Sequence, residues 1–351
     1  MKPVLFVTGH VPADRANAFA CLHERVGVEL ALFGGRHQHG APPDAPPDAV
    51  PHRFVAQREI GELVRSGHYR AVIAGTGGRV ALPSAWRAAR HSELPFIFWA
   101  ALWRTPRTVA HLAALPMMRS IYRNAGAIVT YGEHVSAYVR RHGATRTFVA
   151  PQAVDNAFWS APAAPRVDDR FAALFVGRPA REKGLTVALE AWLRAGLDGT
   201  LTVAGATGAT LPRGVEAAGT LNPVQLRNFY AAADVVVVPS VTTRRFIEPW
   251  GLVVNEAMNQ GAAIIASDAV GAAAGGLVRN GRNGLVVRER DPQALADALG
   301  ALAGDRELCR SLGAAGREDV TAFTFETWAD AFARAVEFAA PAPSSAGSFA
   351  P

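Results

Sequence analysis

Phe246-Ile-Glu-Pro-Trp-Gly-Leu-Val-Val-Asn-Glu256 lies between two runs of a different character. Upstream, Asp234-Val-Val-Val-Val-Pro239 is short and continuously apolar, as a strand buried on both faces must be. Residues 240–247 are polar and turn-like, with Arg244 and Arg245 ahead of Glu248. From Pro249 the apolar positions take helical spacing, through Leu252, Val253 and Ala257 to a stop at Gly261. Ala262-Ala-Ile-Ile-Ala266 follows as a second apolar run. Strand, loop, helix, strand is a βαβ unit, and such sheets place ligands at the carboxyl ends of their strands. Glu248 falls at that end, beside a helix start that offers free N–H groups.

Glu248 precedes the helix and Glu256 sits about two turns into it, so the two carboxylates can reach one ligand from different heights. A carboxylate accepts hydrogen bonds from adjacent hydroxyls of a sugar or ribose, and backbone N–H groups around Gly251 can take a phosphate. The plainer reading is a carboxylate favoured by the helix dipole and a second one at the surface.

A second stretch narrows the choice. In Val176-Gly-Arg-Pro-Ala-Arg-Glu-Lys183-Gly184 a buried strand ends at Gly177, and a helix begins near Glu182. Arg178 and Lys183 therefore stand at a strand's carboxyl end, where two cations can clamp a diphosphate. Lys183 is one of only two lysines in the chain, the other being Lys2. The alternative is two surface cations on a connecting loop.

Working outward, the 351 residues favour two domains, and half are hydrophobic with 19% charged, so a large core can form. The net charge of +6 suits an anionic ligand or peripheral contact with an anionic membrane surface. Its arginines are dispersed rather than clustered, which argues against nucleic acid as partner. Cys21 and Cys309 lack any metal-ligand or paired spacing and fit a reducing cytoplasm. The start, 4–7, is too short for a signal peptide, and the most apolar window, 94–103, is about half a membrane span.

Before the linker, strands are expected at 3–8, 28–33, 71–74, 95–100, 127–130 and 147–150, with helices at 14–25, after Gly78, and at 107–124 and 133–141. The Pro-rich 37–51 reads as an exposed loop, and Gly75-Thr-Gly-Gly78 as a tight turn or a second phosphate contact. The pattern breaks at 151–167, read as a linker. A second series follows: strands at 171–176, 200–204 and 284–287, and helices at 182–194, after Asn222-Pro223 and after Asp291-Pro292. Residues 271–276 read as a glycine-rich turn, 325–338 as the last helix, and 340–351 as a disordered tail. The fold class is α/β, with two Rossmann-like, doubly wound parallel-sheet domains at 1–155 and 166–322.

These motifs in this order resemble the retaining glycosyltransferases of the GT-B fold, family 4, or glycosyl transferases group 1. The resemblance rests on Gly177-Arg178, Lys183-Gly184, Pro239-Ser240, and Glu248-Pro-Trp-Gly251 with Glu256 eight positions on; Gly205 and Asn283-Gly284 agree in order. It is close over 171–287 and looser before it.

The resemblance implies a UDP- or GDP-type nucleotide-sugar donor and a hydroxyl acceptor, such as a glycan, glycolipid or small natural product, with no further cofactor. Glu256 would hold the ribose and Glu248 the sugar hydroxyls. Arg178 and Lys183 would neutralise the diphosphate, with Gly177 and the Pro249, Trp250, Gly251, Leu252 and Val253 backbone completing the site. Gly9 would approach the phosphate from the N-terminal domain, and the last helix would cross back to that domain. Hexosyl or N-acetylhexosaminyl transfer with retention follows, and no metal is implied because Asp-x-Asp is absent.

One departure stands out. The family often has a histidine after the strand placed here at 95–100, where this chain reads Phe98-Trp-Ala-Ala-Leu-Trp103. His10 is a substitute candidate or simply a loop histidine. Trp99, Trp103 and Arg104, with Arg107, form a candidate acceptor platform, unless the tryptophans are core. A catalytically silent nucleotide-sugar-binding scaffold and an epimerase of the same fold remain as alternatives. A nicotinamide dehydrogenase is disfavoured because no Gly-x-Gly-x-x-Gly opens either half.

Overall fold

The computed structural model describes residues 1–34, 48–164, 169–205 and 211–341. Its first half runs β1 (Val4–Thr8), α1 (Ala16–Val26), β2 (Val28–Leu32), β3 (His52–Phe54), α2 (Ile60–Arg65), β4 (Ala71–Gly75), α3 (Ala81–His91), β5 (Phe96–Ala100), α4 (Val109–Asn124), β6 (Ala127–Thr130), α5 (Glu133–Arg141) and β7 (Thr147–Val149). A short α6 (Asn156–Ser160) leads to the second half. That half contains β8 (Phe171–Val176), α7 (Leu185–Ala195), β9 (Gly199–Ala204), β10 (Val215–Gly219), α8 (Pro223–Ala232), β11 (Val235–Val238), α9 (Val253–Asn259), β12 (Ala263–Ser267), α10 (Gly271–Ala274), β13 (Leu285–Val287), α11 (Pro292–Gly304), α12 (Arg306–Asp319) and α13 (Phe325–Ala339).

The strands form two sheets, in the orders β3-β2-β1-β4-β5-β6-β7 and β10-β9-β8-β11-β12-β13, and every paired strand is parallel. The fold is therefore the pair of doubly wound parallel sheets that the residue pattern predicts, in agreement with the GT-B fold that the resemblance implies. In each sheet the winding reverses beside its first strand, between β1 and β4 and between β8 and β11. Connections leave those neighbours on opposite faces, opening a crevice at their carboxyl ends.

The central strands form because they are unbroken apolar runs with a layer of helices on each face. Val235 to Val238 are all buried, and so are Ala263 to Ser267. The strands that periodicity misses are edges: β3 is exposed throughout, and β10 carries a register shift between Ala217 and Gly219. The helices that it misses have local causes. Inside the proline-broken connection, Asp155 caps α6 by accepting from Phe158 N at 3.0 Å. Asp305 caps the largely polar α12 in the same way, from Leu308 N at 2.9 Å. The glycine-rich turn at 271–276 contains the one-turn helix α10. The expected loop at 37–51 and the tail from 340 lie mostly outside the described residues, as do 165–168 of the linker.

The last helix, α13, packs on α1 and on β5, β6 and β7, not on the sheet that precedes it in sequence. Its buried face joins the first half's core, where Trp328 meets Phe19, Trp99 and Phe332 at ring distances of 5.6, 5.9 and 4.5 Å. Trp328 is 1% exposed and its indole N–H finds no acceptor, so this ring contributes by packing alone. Trp328→Ala is expected to cost about 3–5 kcal/mol, seen as a lower denaturant midpoint. Trp328→Phe should cost clearly less, because it also removes a buried N–H that has no partner.

Candidate active site

Glycine and backbone pairing bring the two sequence motifs together at the β8–β11 crevice. After β8 the chain makes a tight turn over Arg181–Lys183, and Gly184 takes φ +73° before α7 begins. A Cβ on Gly184 would lie 1.9 Å from the Pro239 carbonyl oxygen, so only hydrogen allows this approach. One residue away, Val241 N donates to Glu182 O at 2.8 Å. The Gly177–Gly184 turn is thus zipped onto the exit of β11.

A parallel device holds the Glu248 motif. Glu248 forms an isolated bridge with Val270, Ala272 N donates to Trp250 O at 2.8 Å, and a Cβ on Gly271 would lie 1.9 Å from Pro249 O. Gly251 has φ +94°, so α9 starts at Val253 rather than at Pro249 as the apolar spacing predicts. The buried Trp250 indole donates to Asn255 Oδ1 at 2.8 Å, and Asn255 Nδ2 in turn donates to Gln152 O at 3.0 Å. Trp250 is therefore a strut inside the motif. Leu252 and Val253 pack against the same core.

The result is a direct ion pair. Lys183 Nζ lies 2.5 Å from Glu248 Oε2, with the lysine side chain 22% and the carboxylate 8% exposed. Ser240 Oγ is 3.4 Å from the same oxygen. The sequence suggests separate tasks for these two residues, one on phosphate and one on sugar; the structure joins them. In a partly desolvated crevice neither charge is stable alone, so each satisfies the other. Arg178 is on the same turn, 40% exposed and paired with Glu182 Oε1 at 3.7 Å.

Glu256 lies on α9 and accepts a 2.6 Å hydrogen bond from Tyr230 Oη of α8. Burial pushes its carboxyl up to about 7, the tyrosine hydrogen bond pulls it down, and Asp14 from the first half adds a smaller upward push. The Tyr230 hydroxyl is itself raised, by burial first and then by the carboxylate. Glu256 thus stands near the boundary between acid and carboxylate, where a hydrogen-bonding ligand can decide its state.

From the first half, Trp103 Nε1 donates to the Glu248 carbonyl at 3.2 Å, and its ring meets His134 edge-on at 5.3 Å. His134, two residues past the Gly132 that follows β6, places Nε2 3.3 Å from Pro249 O and its ring 6.2 Å from Trp250. Burial lowers its pKa to about 4, so the ring is neutral, with the proton on the nitrogen that faces the carbonyl. The sequence reading passes over His134; its one signal is a position at a strand exit.

Trp99 differs from the expected acceptor platform. It packs between Phe6, Tyr131, Trp328 and Phe332, at ring distances of 5.6 to 5.9 Å, and serves the core. Gly9 and His10 occupy the β1 exit, where Thr8 Oγ1 donates to His10 O at 3.2 Å. Arg104 is exposed and lines a cavity with Arg107 and Arg244.

Residues 160–319, somewhat under half of the chain, match the family model of the glycosyl transferases group 1. D-inositol 3-phosphate glycosyltransferase of Geodermatophilus obscurus is 37% identical over 199 residues, which cover 49% of this chain and 41% of that protein. The Nocardia farcinica protein of the same name is 43% identical over 91 residues, covering 26% and 19% respectively. The match thus spans less than half the length of these relatives. Among solved structures, Anabaena HepE in complex with UDP and glucose superposes with a TM-score of 0.71 at 16% identity, covering 96% of this chain and all of that one. Sucrose-phosphate synthase from Thermosynechococcus elongatus gives 0.71 at 21% identity, covering 95% and 98%.

Gly184→Ala tests the zipper. The clash with Pro239 O and the positive φ together should cost about 2–4 kcal/mol in thermal or denaturant unfolding, more than alanine placed at the exposed Gly67.

Proposed function

We propose that this chain is a retaining glycosyltransferase, moving a hexosyl or N-acetylhexosaminyl group from a nucleotide-diphosphate sugar to a hydroxyl acceptor. The observation that carries the reading is the Lys183–Glu248 pair at the β8–β11 crevice, with Arg178 on the same turn and Glu256 further along α9. The group 1 domain and the names of the curated relatives support it. A UDP-type donor is favoured by the neighbour that binds UDP and glucose.

In this mechanism the diphosphate displaces Glu248 from Lys183, and Arg178 turns from Glu182 to join it. The released Glu248 carboxylate then accepts hydrogen bonds from the donor sugar. Glu256, as a carboxylate, accepts from the ribose hydroxyls. The bond from the anomeric carbon to the diphosphate oxygen breaks, and the two cations stabilise the charge on the departing group. The acceptor oxygen bonds to the same face of the anomeric carbon, and its proton passes to the leaving phosphate oxygen. No protein base is needed.

The test is UDP release from UDP-glucose, UDP-N-acetylglucosamine and, in parallel, GDP release from GDP-mannose, with the product's anomeric configuration read by NMR. Lys183→Ala should lower kcat by about 10²–10³-fold. Glu248→Gln should lose activity while still binding UDP. Nucleotide binding without turnover in the unaltered chain would instead identify a silent scaffold.

A pH test reads Glu256 directly. Only the ionised carboxylate accepts from both ribose hydroxyls, and it is protonated below about pH 7. UDP affinity should rise with pH up to that value and level off above it, with proton release on binding below it. Tyr230→Phe removes the bond that lowers this pKa, so the break should move to higher pH; in Glu256→Gln it should vanish.

A further inference from the structure

Arg104, Arg107, Arg181, Arg244, Arg245 and Arg290 line one cavity of about 840 Å³. They arrive from both halves of the molecule: after β5, after β8, after β11 and after β13. The backbone bond from Arg107 N to Arg244 O, 2.8 Å long, joins the two walls, so this is one site and not two patches. Glu182 and Glu289 also line it, and six positive charges less two negative leave +4.

Both carboxylates are engaged. Glu182 faces Arg178, and Glu289 Oε2 accepts from Thr242 N at 2.5 Å and lies 3.7 Å from Arg290. The guanidinium groups of Arg104, Arg107, Arg181, Arg244 and Arg245 meet no carboxylate among the described residues. Like charges around one cavity repel one another, and the two carboxylates among the described lining residues offset them only in part. Such a group concentrates anions, and the planar guanidinium fork matches phosphate oxygens two at a time.

The donor does not account for this charge. Arg178, Lys183, Glu248 and Glu256 are all absent from the cavity wall, yet Glu182 and Ile247, the chain neighbours of Lys183 and Glu248, are part of it. The cavity therefore borders the two segments that carry the reacting pair. Its volume is that of a small-molecule site, about 300–1,000 Å³, and far exceeds one phosphate. Phe246, Ile247 and Pro106 supply apolar wall for a carbon skeleton.

Resting on the glycosyl-transfer reading, we propose that this arginine cavity is the acceptor site and that the acceptor is a phosphate ester. Its phosphate groups bind between the 104–107 and 244–245 arginines, which directs a hydroxyl at the Lys183–Glu248 pair.

The experiment titrates the full chain, saturated with UDP, with inorganic tripolyphosphate by calorimetry. A single saturable site is expected, weakened at least tenfold in both Arg104→Gln/Arg107→Gln and Arg244→Gln/Arg245→Gln, with UDP affinity changed less than twofold. Equal tripolyphosphate binding in the variants overturns the proposal. So does an equal loss of UDP affinity, which would return these arginines to the donor. Thermal midpoints no lower than that of the unaltered chain confirm that the variants fold. Co-sedimentation with phosphatidylglycerol vesicles separates the sources of phosphate. Vesicle binding that tripolyphosphate displaces assigns a lipid headgroup, and none assigns a water-soluble ester. Vesicle binding lost in the variants with no tripolyphosphate site indicates a flat membrane patch and overturns the cavity. Failure of UDP to bind at all counts against the transferase reading alone; the tripolyphosphate titration, repeated without UDP, still decides the anion site.

Discussion

The contact between Lys183 and Glu248 organises this molecule. The two residues are 65 positions apart, and two segments must be pressed together for them to meet. The hydrogen at Gly184 lets the backbone of one turn rest on Pro239, and the Val241–Glu182 bond fixes the register between them. Once made, the pair satisfies two charges that the crevice partly hides from water. The proposed function rests on the same contact, with a phosphate replacing the carboxylate at Lys183 and neutral sugar hydroxyls replacing the ammonium at Glu248.

The first half of the chain reaches this contact through backbone carbonyls. Trp103 donates to Glu248 O, and His134 to Pro249 O. Neither touches the Glu248 carboxylate by a hydrogen bond, so the side chain remains available while its backbone is held from both sides. α13 returns the C-terminal end of the chain to the first sheet, where it supplies the aromatic cluster around Trp328. Two sheets that are continuous in sequence are thereby tied twice, once at the site and once far from it.

Charge is distributed unevenly around the crevice. Glu256 and Tyr230 form a buried hydrogen-bonded pair, and Asp14 adds negative charge from the first half. The arginine cavity carries excess positive charge. No helix among the described residues is long and apolar enough to cross a membrane.

Much of this architecture is legible in the chain. Unbroken apolar runs such as 235–238 and 263–267 can only be strands covered on both faces, and their alternation with helices dictates a parallel, doubly wound sheet. The spacing of Gly177, Arg178, Lys183 and Glu248 places them in the loops that follow two strands, with Glu256 on the helix after the second, because those locations follow from local periodicity. What periodicity does not carry is which distant segments touch. The pairing of Lys183 with Glu248, the arrival of His134 and Trp103 at the motif's carbonyls, the loss of Trp99 to the core, and the convergence of six scattered arginines all depend on strand order and helix packing. Those are set by burial summed over the whole chain, a sum to which no short stretch of sequence has access.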